Sequence, residues 1–190
     1  HRDVHVPQRR RGAGREAGAG GRRLLRDDGA RGPGDGVARG GGGASQGFDG
    51  WTSIGEINIA GGIRSPSIEL TEERFPFLIV KHELRPDSSG DGRWRGGLGA
   101  VCELVYEGAG EARLNMAGDG VVIPPFGLFG GKPGQPHLYK LISGGERTLR
   151  SKQTGVILNP GDRILSLSSG GGGYGDPAQR SPEQRRWDLK

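Results

Sequence analysis

From about residue 46 the apolar positions fall in short groups set two residues apart, the spacing of strands with one buried face. In "EARLNMA" (111–117), Ala112, Leu114 and Met116 share one face, and Glu111, Arg113 and Asn115 the other. In "AVCELVY" (100–106), Cys102, Leu104 and Tyr106 alternate with Val101, Glu103 and Val105. "PFLIVKHEL" (76–84) is a dense apolar run that stops at Arg85-Pro86 and reads as a buried strand. Further strands are predicted at 138–142, 147–151, 154–158 and 163–168. "EGAG" (107–110) reads as a hairpin connection between 100–106 and 111–117, and "NPGD" (159–162) as a Pro-Gly turn. Helical periodicity is nearly absent before the end. There Ser181 suits an N-cap, Pro182 the first helical position and Glu183 the first turn. The pattern predicts a mainly β domain, a sandwich or barrel-like arrangement, with a short C-terminal helix.

Composition changes this picture at the N-terminal side. Of 40 glycines in 190 residues, 13 lie in residues 1–45. That segment also holds ten arginines against five acidic residues, so the chain's net charge of +5 resides there. The rest carries 17 residues of each sign. With no Ile, Phe, Tyr, Trp, Met or Cys, residues 1–45 bury too little apolar area to offset chain entropy. They read as a low-complexity arm, disordered or translated out of frame. A nucleic-acid-binding arm is disfavoured, since neither RGG repeats nor interleaved aromatics occur. The expected organisation is this arm, a β-rich region over 46–180, and the start of a terminal helix over 181–190. The chain starts without Met and stops two turns into that helix, so it reads as cut at both ends.

A single cysteine, Cys102, excludes an internal disulfide and a Cys-based zinc site, and the expected compartment is the cytoplasm. Cys102 alternates with Leu104 and Tyr106 and is expected to pack as a small apolar group. No apolar run approaches the ~18 residues of a membrane span.

Two stretches resemble phosphate loops. "GGGGYGDP", comprising Gly170, Gly171, Gly172, Gly173, Tyr174, Gly175, Asp176 and Pro177, satisfies G-x-G-x-x-G through Gly170, Gly172 and Gly175. A dinucleotide site needs a helix that begins within the glycine turn, and here it is delayed to Ser181. The loop instead reads as a tight glycine turn from the last strand into the terminal helix. "FGLFGGKPG" (126–134) is one residue short of P-loop spacing, and Pro133 stands where Ser or Thr must reach magnesium. Phe126, Leu128 and Phe129 are expected to pack beneath it. His82 reads as a satisfied strand residue, since no partner shares a metal-ligand spacing with it. No Ser sits in a nucleophile elbow. "ELRPDSSGDGRWRGGLG" (83–99) gathers Arg85, Asp87, Asp91, Arg93 and Arg95 in one connection. Either the arginines receive an anionic group, or Asp–Arg pairs pin the loop internally.

"HELRPDSSGDGRWRGGLGAV", "PPFGLFGGKPG" and "LRSKQTGVILNPGDRILSLSSGGGGYGDP" occur in the order and spacing of one family. Over about residues 46–190 the chain resembles the C-terminal part of the hydantoinase B/oxoprolinase family. That family includes the N-methylhydantoinase B component, 5-oxoprolinase and acetone and acetophenone carboxylase subunits. "GGGGASQGFDGWTSIGEINIAGG" and "RSPSIELTEERFPF" resemble the segment leading into the first block, whereas residues 1–40 do not resemble the family.

The resemblance implies an α+β full subunit that works with an A-type, ATP-binding partner. Phosphorylation of a lactam oxygen by that partner makes the ring carbon a better electrophile, and the B component completes ring opening, or carboxylation in the other branch. It also implies a divalent metal held by His and Asp residues outside this sequence. No cofactor is expected on this chain by itself, and no catalytic or metal residue is carried over onto it. Arg85, Asp87, Arg93, Arg95 and Lys132 fall within the matching blocks and are the candidates for a substrate- or subunit-facing surface. The implied function is part of an ATP-dependent complex that hydrolyses a hydantoin or 5-oxoproline. A carboxylase subunit and a non-catalytic binding module are the alternatives.

Overall fold

The computed structural model describes residues 39–54 and 67–188. Residues 1–38, most of the predicted arm, lie outside them. Among the described residues seven strands make two antiparallel sheets: β1 (Phe77–Leu84), β2 (Ala100–Tyr106), β3 (Ala112–Ala117), β4 (Leu138–Ile142), β5 (Glu146–Leu149), β6 (Lys152–Leu158) and β7 (Arg163–Leu167). One sheet has the order β1-β2-β7-β4-β5, and β3 and β6 pair alone as the other. Neither sheet closes into a barrel. The core lies between them, as the alternation predicts. Cys102, Leu104 and Tyr106 of β2, Leu141 of β4, Leu149 of β5 and Ile164 of β7 meet Val156 and Leu158 of β6. Ala112, Leu114 and Met116 of β3 pack against that cluster.

The connection 107–110 is not a hairpin. β2 pairs with β1 and β7, and β3 pairs with β6. The tetrapeptide carries the chain from one sheet to the other, pinned by Tyr106 Oη donating to Gly110 O at 2.8 Å. Alternation shows that two strands bury one face each; it does not distinguish neighbours in one sheet from partners across a core. "NPGD" is a turn, with Gly161 at φ +88° and Asp162 N–H donating to Asn159 O at 3.0 Å. It too crosses between sheets, from β6 to β7.

Among the described residues two α-helices flank the strands. α1 (Ile68–Arg74) escaped the periodicity reading because it is only seven residues long. Its signals were local: Ser67 caps it by accepting from Leu70 N–H at 3.2 Å, Glu69 sits in the first turn, and Arg74 in the last. Glu72 of α1 accepts the Ile79 N–H at 2.9 Å, where β1 bulges against β2 between Ile79 and Lys81. This occupies an amide beside the exposed edge of β1. α2 (Pro182–Asp188) starts where the sequence predicts. Ser181 and Gln184 cap it reciprocally, each side chain accepting the other's backbone N–H at 3.2 Å.

Candidate functional site

β1 and β7 end, and β2 and β4 begin, at the same end of the larger sheet, since Leu84 faces Ala100, and Leu167 faces both Val101 and Leu138. Beyond that end the chain forms a web of extended, glycine-rich segments. Residues 168–175 run through its middle, bonded on several sides. Gly41 N–H donates to Ser169 O, and Ala44 N–H to Gly172 O, both at 2.9 Å. Gly90 N–H donates to Gly171 O at 2.8 Å, and Leu128 N–H to Gly173 O at 2.9 Å. Tyr174 and Trp94 exchange both backbone bonds, at 2.8 and 3.0 Å.

The four consecutive glycines are required by this crowding. A Cβ on Gly170 would meet Ser88 O, one on Gly171 Gly42 O, one on Gly172 Phe126 O and one on Gly173 Asp91 O, each at under 3.0 Å. The expectation of a tight turn is therefore corrected. Residues 170–173 are buried and none has a positive φ, which occurs only later, at Gly175 (+74°). Asp176 then caps a 3-10 turn over Pro177–Gln179.

In both phosphate look-alikes several backbone amides are already taken by carbonyls of neighbouring segments. In the first, Gly171 N–H goes to Gly97 O, Gly173 N–H to Lys132 O, and Gly175 N–H to Leu128 O, all at 2.9 Å. In the second, Gly131 N–H goes to Leu128 O at 2.9 Å, and Lys132 N–H to Asp91 O at 2.6 Å. Among the described residues no group of three or more His, Cys, Asp or Glu side chains could hold a metal ion.

Phe126 and Phe129 do not pack beneath their loop. They are 73% and 75% exposed, and Leu128 is also exposed. The Leu128 backbone is held by the web, through Gly173 O and the Gly131 and Gly175 amides, while the side chains face outward. The Phe129 ring lies 4.9 Å from Tyr174, and Tyr174 lies 5.7 Å from Trp94, over which the Arg93 guanidinium sits at 4.7 Å.

The five candidate surface residues divide. Arg85 turns inward, and its Nη1 donates to Pro136 O at 2.8 Å and Ser168 O at 3.0 Å. Burial pushes its pKa below the ordinary value. Arg95 also turns inward. Its N–H donates to Asp49 Oδ1 at 2.9 Å, and its Nε lies 2.7 Å from Asp188 Oδ1. That Nε–Asp188 contact is an ion pair without hydrogen-bond alignment. Asp87, Arg93 and Lys132 are exposed. The loop is pinned by arginines, but their partners are carbonyls and distant aspartates, not Asp87 or Asp91.

Sequence reasoning missed the centre of that pinning. Arg180 is 8% exposed and donates to both oxygens of Asp49, at 2.9 and 2.8 Å. It also donates to both oxygens of Asp188, at 2.6 and 2.9 Å, and to Arg93 O at 3.1 Å. Burial alone would raise the Asp49 carboxyl; the Arg180 bond and the Arg95 N–H outweigh it and hold the pKa below the usual carboxylate range. The Asp49 bond in turn raises the pKa of Arg180, against the effect of burial. Asp49 and Arg180 are 131 residues apart, and no local pattern signals such a pair.

Two groups sit deeper, nearer the sandwich. The Cys102 thiol is buried, which, with Glu103 nearby, pushes its pKa up to about 12. His137 is buried against Tyr139, with ring centroids 4.2 Å apart, and its Nε2 lies 3.2 Å from Ser166 Oγ. Burial, assisted by the Arg85 charge, pushes its pKa down to about 4.

The hydantoinase B/oxoprolinase family model matches residues 27–177. The chain belongs to the hydantoinase B/oxoprolinase family. The match begins well before residue 46. Likewise residues 39–45, which composition groups with the arm, bond into the web through Gly41, Gly42 and Ala44. The caprolactamase subunit beta of Pseudomonas jessenii is 37% identical over 146 residues, which cover 74% of this chain and 25% of that protein. The crystal structure of an ATP-dependent caprolactamase from the same organism aligns with a TM-score of 0.67 at 32% identity, over 80% of this chain and 27% of that one. A nucleotide-free acetone carboxylase aligns with a TM-score of 0.68 at 20% identity, over 79% and 24%, and shares the fold. The chain thus spans about a quarter of the length of these relatives. Among the described residues no helix is long and apolar enough to cross a membrane.

Proposed function

We propose that this chain is the C-terminal, structural part of a hydantoinase B/oxoprolinase-type subunit in a cytoplasmic, ATP-dependent complex that opens a cyclic amide such as a hydantoin or 5-oxoproline. The observation that carries the reading is the family match over residues 27–177, joined to 37% identity with a caprolactamase beta subunit. The partner is an A-type, ATP-binding subunit. ATP supplies the activation of the amide oxygen, and the nucleotide and the divalent metal are held outside the described residues.

The contribution of this chain is positional. The web fixes loops 85–99 and 125–134 to one another largely through backbone hydrogen bonds, such as Lys132 N–H to Asp91 O. Of the five candidates, Asp87, Arg93 and Lys132 face the substrate or the partner subunit, while Arg85 and Arg95 hold the loop that presents them.

The test mixes the purified chain with an A-type subunit, ATP and 5-oxoproline or a hydantoin, and follows ring opening. The expected outcome is no turnover by this chain, and turnover once a complete family subunit carrying it is supplied. Ring opening by the chain with its partner alone would overturn the structural role. The carboxylase branch shares the fold, and bicarbonate-dependent consumption of ATP by the complete complex would select it instead.

A further inference from the structure

α2 has seven residues and buries none of them. A helix that short is not stable by itself in water. Its last residue, Asp188, opposes the helix dipole and disfavours the isolated helix further. No residue of α2 is buried, and polar contacts help to dock it. Arg185 Nε donates to Arg180 O at 3.1 Å, and its Nη2 donates to Pro177 O at 3.2 Å and Ala178 O at 3.1 Å. Asp188 reaches from the helix to Arg180 and, beyond this local turn, to Arg95.

Segment 39–54 lies at the other end of the described chain and is equally poor in buried side chains. Phe48 and Trp51 are exposed. Backbone bonds hold it to the web, including Gly41 to Ser169, Ala44 to Gly172 and Gly50 to Arg95. Its reach into the ionic centre is Asp49.

A guanidinium has five N–H groups, and Arg180 makes five hydrogen bonds: two to Asp49, two to Asp188 and one to Arg93 O. With Arg95 the centre holds two cations and two carboxylates. Removing either carboxylate leaves an excess positive charge around a nearly buried arginine, and frees the side chain that aims at the other carboxylate.

We propose that Asp49, Arg95, Arg180 and Asp188 form a latch that couples docking of α2 to the seating of segment 39–54 on the glycine web. Each end supplies one carboxylate to the shared guanidinium, so each holds the other in place. Coupling of this kind is reciprocal: the factor by which one end stabilises the other is the same in both directions.

Hydrogen exchange on the full chain tests this. Asp188→Asn is expected to speed exchange of the Gly41, Ala44 and Gly50 amides by at least about 5-fold, the lower end of ordinary coupling factors, although Asp188 touches none of them. Asp49→Asn is expected to speed exchange of the Arg185 amide by the same factor. Faster exchange confined to the mutated end in either variant overturns the latch. A second measurement needs no variant. In wild-type protein under increasing sub-denaturing denaturant, the amides of 39–54 and of α2 are expected to open with one free energy and one denaturant slope. Two distinct openings would overturn the proposal even if the variants fail to fold.

Discussion

The sandwich and the glycine web meet at one end of the larger sheet but are stabilised by different means. In the sandwich, side chains do the packing: Leu158 is 1% exposed, and Leu141, Leu149 and Val156 surround the same core. In the web most side chains are absent or turned outward, a few inward arginines and serines aside, and backbone bonds backbone across segments far apart in sequence. Burial of apolar area is non-directional and tolerates exchange of similar shapes. A web of main-chain hydrogen bonds requires each N–H to find its carbonyl, and tolerates no added atom where chains touch. The web is therefore the region suited to holding loops in fixed relation, and the sandwich the region suited to carrying it.

The sharpest way to break this comparison is a single methyl group. Gly171→Ala places a Cβ against the Gly42 carbonyl, which is itself held by the Gly97 N–H, so neither chain can yield. The expected loss is about 3 kcal/mol or more, at the upper end of overpacking costs, read as a fall in the denaturant midpoint. Leu158→Ala, which removes the most buried core leucine, sets the scale at roughly 2–5 kcal/mol. Gly145→Ala is the control, since nothing lies within 4 Å of its Cβ position and its φ is not positive; a change within about 0.5 kcal/mol is expected. Equal small effects at Gly171 and Gly145 would mean that the web is loose and the comparison wrong.

Protons separate the regions next. His137 is neutral when folded, with its pKa pushed to about 4 from 6.5. Between those values the unfolded chain binds a proton that the folded chain does not, so stability falls as pH drops from 6.5 towards 4 and this contribution levels off below. One proton corresponds to about 1.4 kcal/mol per pH unit. Asp49, whose pKa is lowered, adds its loss as pH falls through the ordinary carboxylate value towards its own lower one, so most of that loss comes below the window in which His137 titrates. His137→Gln is expected to flatten the denaturation midpoint between pH 6.5 and 4 while leaving the fall at lower pH. A slope that persists unchanged in the variant would remove His137 as its cause.

The two regions were not equally legible in the sequence. Strand positions, the inward faces of β2 and β3, the packing of Cys102 and the start of α2 follow from alternation and capping, which are local. Sheet partnership is not local: β2 and β3 read as a hairpin because two-residue alternation is the same whether strands sit side by side or face to face. The web was almost illegible. Its glycines looked like turns and phosphate loops because the sequence shows that a side chain is missing, not what fills its place. Gly171 is explained by Gly42, and Asp49 by Arg180, at separations no motif spans. The candidate residues were found as a group through family resemblance, but only coordinates divide Arg85 and Arg95, spent inside, from Asp87, Arg93 and Lys132 outside.

The smallest predicted effect bears on where the apolar residues of the web point. If Phe126 packed beneath its loop, as its neighbourhood of Leu128 and Phe129 suggests, truncating it would cost on the order of 3–5 kcal/mol. At 73% exposure it removes little area from water, and Phe126→Ser is expected to change stability by less than about 0.5 kcal/mol. The backbone of Phe126 is another matter: its carbonyl occupies the space where a side chain at Gly172 would stand. Gly172→Ala is thus expected to destabilise far more than loss of the whole phenyl ring. If chemical denaturation ranks these two variants the other way, side-chain packing rather than main-chain contact holds the web together.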